Sequence, residues 1–143
     1  MSKLKKITDG ERAKQYICQF EQYLTPTLTE KNIDLSKYTK KLLNYGKIIA
    51  YQEKGIISYY LNEKERKCFI SILSVSPEHQ SQGIGGSLMK QAESDAKNHQ
   101  LTCIELAVEK ENFGGIRFYK RHGFVYSSET SSQYLYKKIF DGI

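Results

Sequence analysis

Apolar residues recur every three or four positions through the first third of the chain and then close up into short unbroken runs, the two periods that separate helix from strand. Thr8-x-x-Glu11 reads as a capping box, after which Ala13, Ile17, Phe20 and Leu24 mark one helical face until Thr25-Pro26 interrupts it. Beyond a polar, Thr-rich connector, Leu35, Tyr38, Leu42 and Tyr45 repeat the pattern and Gly46 marks its stop. From Lys47 the period changes. Ile48 to Tyr51, Ile56 to Leu61 and Cys68 to Val75 are β-rich runs parted by Glu53-Lys-Gly55 and by the charged turn from Asn62 to Arg66, which predicts three antiparallel strands. A third helix begins near Ile84, with Leu88, Ala92 and Ala96 as its apolar stripe, and Ile104 to Val108 predicts a strand. A fourth helix follows Asn112, and Phe124 to Ser127 and Tyr134 to Ile139 predict a last pair of strands joined by a Ser-rich loop. A meander followed by strand-helix-strand units argues an α/β or α+β fold with a mixed sheet. No repeat, linker or low-complexity tract divides the chain.

The junction before the third helix carries the first chemical signal, in Val75-Ser-Pro-Glu-His-Gln80-Ser-Gln-Gly83-Ile-Gly85-Gly86-Ser-Leu88. A helix start presents unpaired N–H groups and roughly half a positive charge, and glycines let a ligand approach that backbone, so the junction suits a pyrophosphate. A P-loop is excluded, because no lysine follows Gly85 before Lys90, and a dinucleotide fingerprint is excluded by Leu88 where a third small residue belongs. What remains is Gln80-x-x-Gly83-x-Gly85. A second segment, Glu111 to Phe124, reads as a short capped helix: Asn112 is a good N-cap, Ile116 and Tyr119 share a face, and Gly123 suits a left-handed stop.

Together the two segments resemble the two hallmarks of the GNAT superfamily of N-acetyltransferases, a Q/R-x-x-G-x-G/A loop and an N-x-x-A-x-x-x-Y helix ending in Gly-Phe. The resemblance is specific from about Phe69 to Phe124 and topological before that. It implies a mixed, mostly antiparallel central sheet of about six to seven strands flanked by about four helices. It also implies acetyl-coenzyme A as cosubstrate. The pyrophosphate is expected on the backbone of Gln82, Gly83, Ile84, Gly85, Gly86 and Ser87, with Gln80 and Ser81 opening the loop, and the pantetheine arm along the strand edge at Leu73, Ser74 and Val75. Ser87 is divided between the phosphates and capping the helix turn. Asn112 is divided between N-cap and cofactor contact, and Tyr119 holds the family position of the general acid, with packing beneath the fourth helix as the competing use.

An alkylamine of pKa about 10.4 is almost fully protonated at neutral pH, and presenting it neutral costs roughly 4–5 kcal/mol, so a base is expected on the acceptor side. Neither family base is present: the position five before Asn112 is Ala107, and Phe69 to Val75 contains no carboxylate. By composition the candidates are Glu30, Asp34, Glu63, Glu65, and Tyr59 or Tyr60 through water. Gly115 stands where the family usually has alanine, and Gly114-Gly115 weaken the helix start by about 1 kcal/mol each unless something approaches closely there.

Length and charge bound the rest. A chain of 143 residues suits one domain, without a run of about 18 apolar residues to span a membrane. A cytoplasmic location is expected, with no membrane partner. The net charge of +6 is spread in short clusters such as Lys3, Lys5, Lys6 and Lys137-Lys138, without the interleaved aromatics of a nucleic-acid module. Cys18, Cys68 and Cys103 lack paired spacing and read as reduced, mostly buried thiols, and His79, His99 and His122 lack metal-ligand spacing, so no metal is expected. The expected acceptor is a primary amine of a small molecule such as an amino sugar or amino acid. The alternatives are a protein amine, a non-catalytic acyl-coenzyme A-binding module and a nucleic-acid-binding domain. A homodimer pairing through Tyr134 to Ile139 is a further expectation.

Overall fold

The computed structural model describes residues 3–140. In chain order these form β1 (Leu4–Lys6), α1 (Gly10–Glu21), α2 (Leu35–Tyr45), β2 (Gly46–Tyr51), β3 (Gly55–Asn62), β4 (Lys67–Val75), α3 (Ile84–Asn98), β5 (Cys103–Glu109), α4 (Phe113–Arg121), β6 (Val125–Glu129) and β7 (Gln133–Ile139). A short 3-10 turn at Pro77–His79 precedes α3. The strands make a seven-stranded mixed sheet in the order β1-β2-β3-β4-β5-β7-β6. β4 and β5 run parallel, as two strands joined by a crossover helix must, and the other registered pairs are antiparallel. By contacts the chain divides into two compact units, one reaching to Tyr60 and taking in Ser71–Ala92, the other comprising Leu61–Ile70 and the chain from Glu93.

The first unit is built on two capped helices. α1 is capped by Asp9, whose carboxylate accepts from Arg12 N at 2.9 Å, and not by the expected Thr8. A carboxylate suits the positive end of a helix better than a neutral hydroxyl, and Asp9 has the extended backbone a cap needs. The helix ends at Glu21, so Leu24 packs from the following turn. α2 spans Leu35–Tyr45 as its periodicity predicts, capped by Asp34. Gly46 ends it without a left-handed residue: its φ is −131° and it is already the first residue of β2. A side chain there would put Cβ 2.7 Å from the Tyr59 carbonyl oxygen, so the glycine serves close approach between β2 and β3. Ala13, Ile17 and Phe20 of α1, Leu42 of α2, and Ile48 and Ile56 of the strands form the buried cluster beneath the helices. Cys18 is exposed on α1, unlike the buried Cys68 and Cys103.

In the second unit β5 pairs with β4 over Lys67↔Cys103 to Ile70↔Leu106 and with β7 along its whole length. β7 also pairs with β6, so both its edges are taken and it cannot pair across a dimer as expected; β6 ends the sheet instead. The β6–β7 register shifts between Tyr126 and Ser128, where Ser127 bulges out. All five residues of β6 are exposed. Glu93 of α3 binds Lys138 of β7 at 2.8 Å, and Ile104, Leu106, Phe124 and Tyr136 lie in the core.

Candidate functional site

The glycine segment is shaped by its own side chains. Ser76 is nearly buried; its N–H donates to Lys54 O at 2.9 Å and its hydroxyl meets His79 Nδ1 at 2.6 Å, tying the end of β4 to the β2–β3 turn. Gln80 Nε2 donates to Val75 O at 3.2 Å and Gln82 Nε2 to Glu78 O at 3.5 Å, so both amides fold back on the turn. Ser81 (φ 65°) and Gly83 (φ 80°) are left-handed and bracket Gln82. Only glycine adopts that conformation at little expense, and Gly83 has nothing within 4 Å of where a Cβ would stand, so backbone freedom alone explains it. The first bond of the α3 ladder runs from Ser87 N to Gly83 O at 3.0 Å, which leaves the amides of Ile84, Gly85 and Gly86 ahead of the ladder. Ile84 is buried and anchors this turn, Gly85 and Gly86 are half-buried, and Ser87 is exposed as the fourth helical residue rather than a cap.

Immediately upstream, β4 carries Leu73, Ser74 and Val75 in the same unit as the loop. Ser74 spends its hydroxyl inside the protein, donating to Phe20 O at 3.0 Å, so only its backbone is available to a ligand. The parallel register with β5 ends at Ile70↔Leu106, and Ser71–Val75 extend beyond its last pair.

The second motif lies in the other unit. Asn112 is the N-cap of α4, with Oδ1 accepting from Gly115 N at 3.0 Å. A Cβ on Gly115 would stand 2.6 Å from Asn112 Nδ2, so the close approach that the two glycines allow is to the helix's own cap. Gly123 is left-handed (φ 92°) and Phe124 N returns to Tyr119 O at 3.0 Å, closing the helix as expected. Tyr119 makes edge contacts with Phe118 at 5.5 Å and Phe124 at 5.8 Å, and its hydroxyl has no hydrogen bond among the described residues. Burial pushes that hydroxyl up to about 12, so it keeps its proton through the neutral range.

The proposed bases fare unevenly. Glu30 accepts from Thr27 N and Asp34 caps α2; the hydrogen bond from Thr27 holds the first carboxylate low and that from Lys37 the second, which makes each a poorer base. Glu63 and Glu65 are exposed in the β3–β4 turn, with Glu65 3.6 Å from Lys67. Tyr59 is fully buried, and burial followed by the neighbouring Tyr38 pushes Tyr60 up to about 12. Ala107 sits half-buried on β5 opposite Leu135, with no carboxylate to offer.

One group escaped the sequence reading. In the first unit the hydroxyls of Tyr38 on α2 and Ser71 on β4 are in direct contact, and burial raises Tyr38 above its ordinary value. Ser58 on β3 is fully buried, acts on the Tyr38 hydroxyl, and yet makes no hydrogen bond of normal geometry. Lys41 Nζ lies 5.6 Å from the Tyr60 ring centroid nearby on α2. The only signal in the chain was the serines that interrupt two apolar strand runs, Ser58 in one and Ser71 and Ser74 in the other. Among the described residues, no group of three or more His, Cys, Asp or Glu is placed to hold a metal, and no helix is long and apolar enough to cross a membrane.

Comparison with known proteins falls on the same segments. Residues 15–124 match the family model described as the acetyltransferase (GNAT) family. An uncharacterized N-acetyltransferase of Methanocaldococcus jannaschii is 40% identical over 62 residues, 43% of this chain; the match spans 27% of that relative's length. Among solved structures, the fold is similar to that of PaiA N-acetyltransferase from Thermoplasma acidophilum in complex with coenzyme A, with a TM-score of 0.75 at 18% identity over 98% of this chain and all of that one. It is also similar to Ard1 from Thermoplasma volcanium, with a TM-score of 0.72 at 19% identity and 95% of each chain covered. An acetyltransferase from Elizabethkingia anophelis with acetyl-coenzyme A bound gives 0.63 at 17% identity over 73% of this chain and 82% of that one.

Proposed function

The chain belongs to the acetyltransferase (GNAT) family, and from that premise we propose that it transfers an acetyl group from acetyl-coenzyme A to a primary amine of a small molecule by direct attack in a ternary complex. The observation that carries the reading is the left-handed Ser81–Gly83 turn, which follows β4 after the short Pro77–His79 turn and leads into the unladdered amides at the start of α3. In this reading the loop from Gln82 to Ser87 holds the pyrophosphate, through the backbone N–H groups ahead of the ladder and the exposed Ser87 hydroxyl, with Gln80 and Ser81 opening it, and Leu73, Ser74 and Val75 pair with the amide-bearing arm. Asn112 orders the start of α4 and contacts the cofactor from there.

The chemistry asks little of acid catalysis. As the amine nitrogen attacks the thioester carbon and the C–S bond breaks, negative charge collects on a sulfur whose conjugate acid lies near that of a free thiol, about 8.5. Tyr119, held near 12, surrenders its proton to such a thiolate only in part. It therefore acts as the general acid chiefly by donating a hydrogen bond while charge builds, and the proton released from nitrogen completes the balance.

Calorimetric titration with acetyl-coenzyme A, with NADH and ATP as controls, tests the reading. Selective binding that is lost in Gly85→Glu, where a carboxylate enters the helix start, supports it. Folded protein that binds none of the three would mean that both motifs are structural. A non-catalytic acyl-coenzyme A-binding module, favoured by the absence of both family bases, would bind the cofactor but release no thiol with any amine.

A further inference from the structure

We propose that the hydroxyl cluster of Tyr38, Ser58 and Ser71 recognises the acceptor and selects weakly basic amines, whose nitrogen lies beside a carbonyl or hydroxyl group, over strongly basic alkylamines. The inference rests on the acetyl-transfer reading above. If the pyrophosphate lies on Gln82 to Ser87 and the arm runs back along Val75 to Leu73, its reactive end heads up β4 toward Ser71. Ser71 is two residues further along that strand, about 7 Å from Leu73. The Tyr38–Ser71 contact therefore stands on the acceptor side.

Both members are partly exposed, and Ser58 behind them carries unused hydrogen-bonding capacity. A buried hydroxyl without a partner is costly, so such exceptions ask for an explanation. Here Ser58 gives Tyr38 a second acceptor. When Tyr38 turns to Ser58, Ser71 is released to bind an oxygen of the acceptor.

The charges around the cluster discriminate in the same sense. Lys41 is a cation beside Tyr60, and among the described residues no carboxylate shifts Tyr38 or Tyr60. Asp34, one turn back on α2, has Oδ1 occupied by the amides of Ser36 and Lys37. Among the described groups of this cluster an ammonium ion meets uncharged oxygens and a like charge, and no carboxylate that shifts Tyr38 or Tyr60. The acceptor must arrive neutral. At pH 7 an alkylamine of pKa about 10.4 is neutral roughly once in 2,500 molecules, whereas an amine near 8 is neutral about once in ten. The neutral nitrogen forms the C–N bond, the C–S bond breaks, and the proton lost from nitrogen equals the one gained by sulfur.

Thiol release by the full chain with acetyl-coenzyme A is measured against glycinamide and glucosamine on one side and propylamine and cadaverine on the other, each rate corrected for its neutral fraction. The weakly basic pair should retain an advantage of about tenfold in kcat/KM, the effect of one well-made hydrogen bond. Ser71→Ala and Tyr38→Phe should erase it by raising acceptor KM, with the KM for acetyl-coenzyme A unchanged, and Ser71→Thr should restore it. Equal corrected rates for both pairs, or an advantage unaltered in variants shown to be folded, would overturn the inference while leaving acetyl transfer intact. Release of no thiol from any amine would overturn the acetyl-transfer reading, and the inference with it.

Discussion

Replacing Gly115 by alanine asks whether the first turn of α4 is built around its cap. In an ordinary helix the change stabilises by about 1 kcal/mol, and loss of an Asn N-cap costs about the same. Here the two effects are coupled. The new Cβ would stand 2.6 Å from Nδ2, 2.9 Å from Cγ and 3.0 Å from Oδ1 of Asn112, the first two closer than a side chain tolerates. Asn112 must swing away, and its 3.0 Å bond from Gly115 N goes with it. Gain and loss then nearly cancel, so Gly115→Ala alone should shift stability by less than about 0.5 kcal/mol. With Asn112→Ala already in place the obstruction is gone, and the same change should stabilise by about 1 kcal/mol. The double-mutant cycle in urea thus gives a coupling of about 1 kcal/mol, or roughly half a molar in midpoint for an m-value near 2 kcal/mol/M. Equal stabilisation in both backgrounds would show that the cap does not occupy the space assigned to it.

Three further outcomes follow from the geometry. Tyr119→Phe should lower turnover by about tenfold, the effect of one hydrogen bond to the departing sulfur, and leave acetyl-coenzyme A affinity unchanged, measured by thiol release and calorimetry, with a thermal shift equivalent to less than about 0.5 kcal/mol because no internal hydrogen bond is lost. Ser74→Ala should destabilise by about 1 kcal/mol in urea, since it removes the buried hydroxyl that bonds the Phe20 carbonyl, which keeps its backbone donors from Gln22 and Tyr23. His122 is held below its ordinary value by burial and by Arg121 and Lys138. Above about pH 6.5 it is neutral in both states and its contribution is complete; as pH falls below that, the unfolded chain takes up the proton first and stability declines until the folded value is passed. Melting curves of His122→Gln should show a shallower decline over that window.

What the chain discloses about itself divides along physical lines. The bounds of α2 follow from Leu35, Tyr38, Leu42 and Tyr45, because a helix records its buried face in its own periodicity. β1 leaves no such record. Leu4–Lys6 is three residues with two lysines, and it is a strand only because Tyr51, Ala50 and Ile49 of β2 pair with it. The glycine spacing of the loop is legible, whereas the left-handed Ser81 is not, since its conformation is imposed by the turn. Thr8 and Asp9 are both competent caps, and only the path of the backbone chooses between them. Tyr38 fits a helical stripe so well that its hydroxyl passes unnoticed, and its meeting with Ser71 bridges 33 positions of sequence.

The bulge at Ser127 bears on what the end of the sheet offers to another strand. β6 ends the sheet, and an end strand offers free N–H and C=O groups on which another chain can build. Val125 and Tyr126 make that end sticky, with exposures of 63% and 53%. An extra residue in the middle of five breaks the even spacing that an incoming strand must match, and the Lys110–Glu129 ion pair places charge at the far end. That end of the sheet is thereby a poor template for growth, and deleting Ser127, which would straighten the strand, would remove that protection.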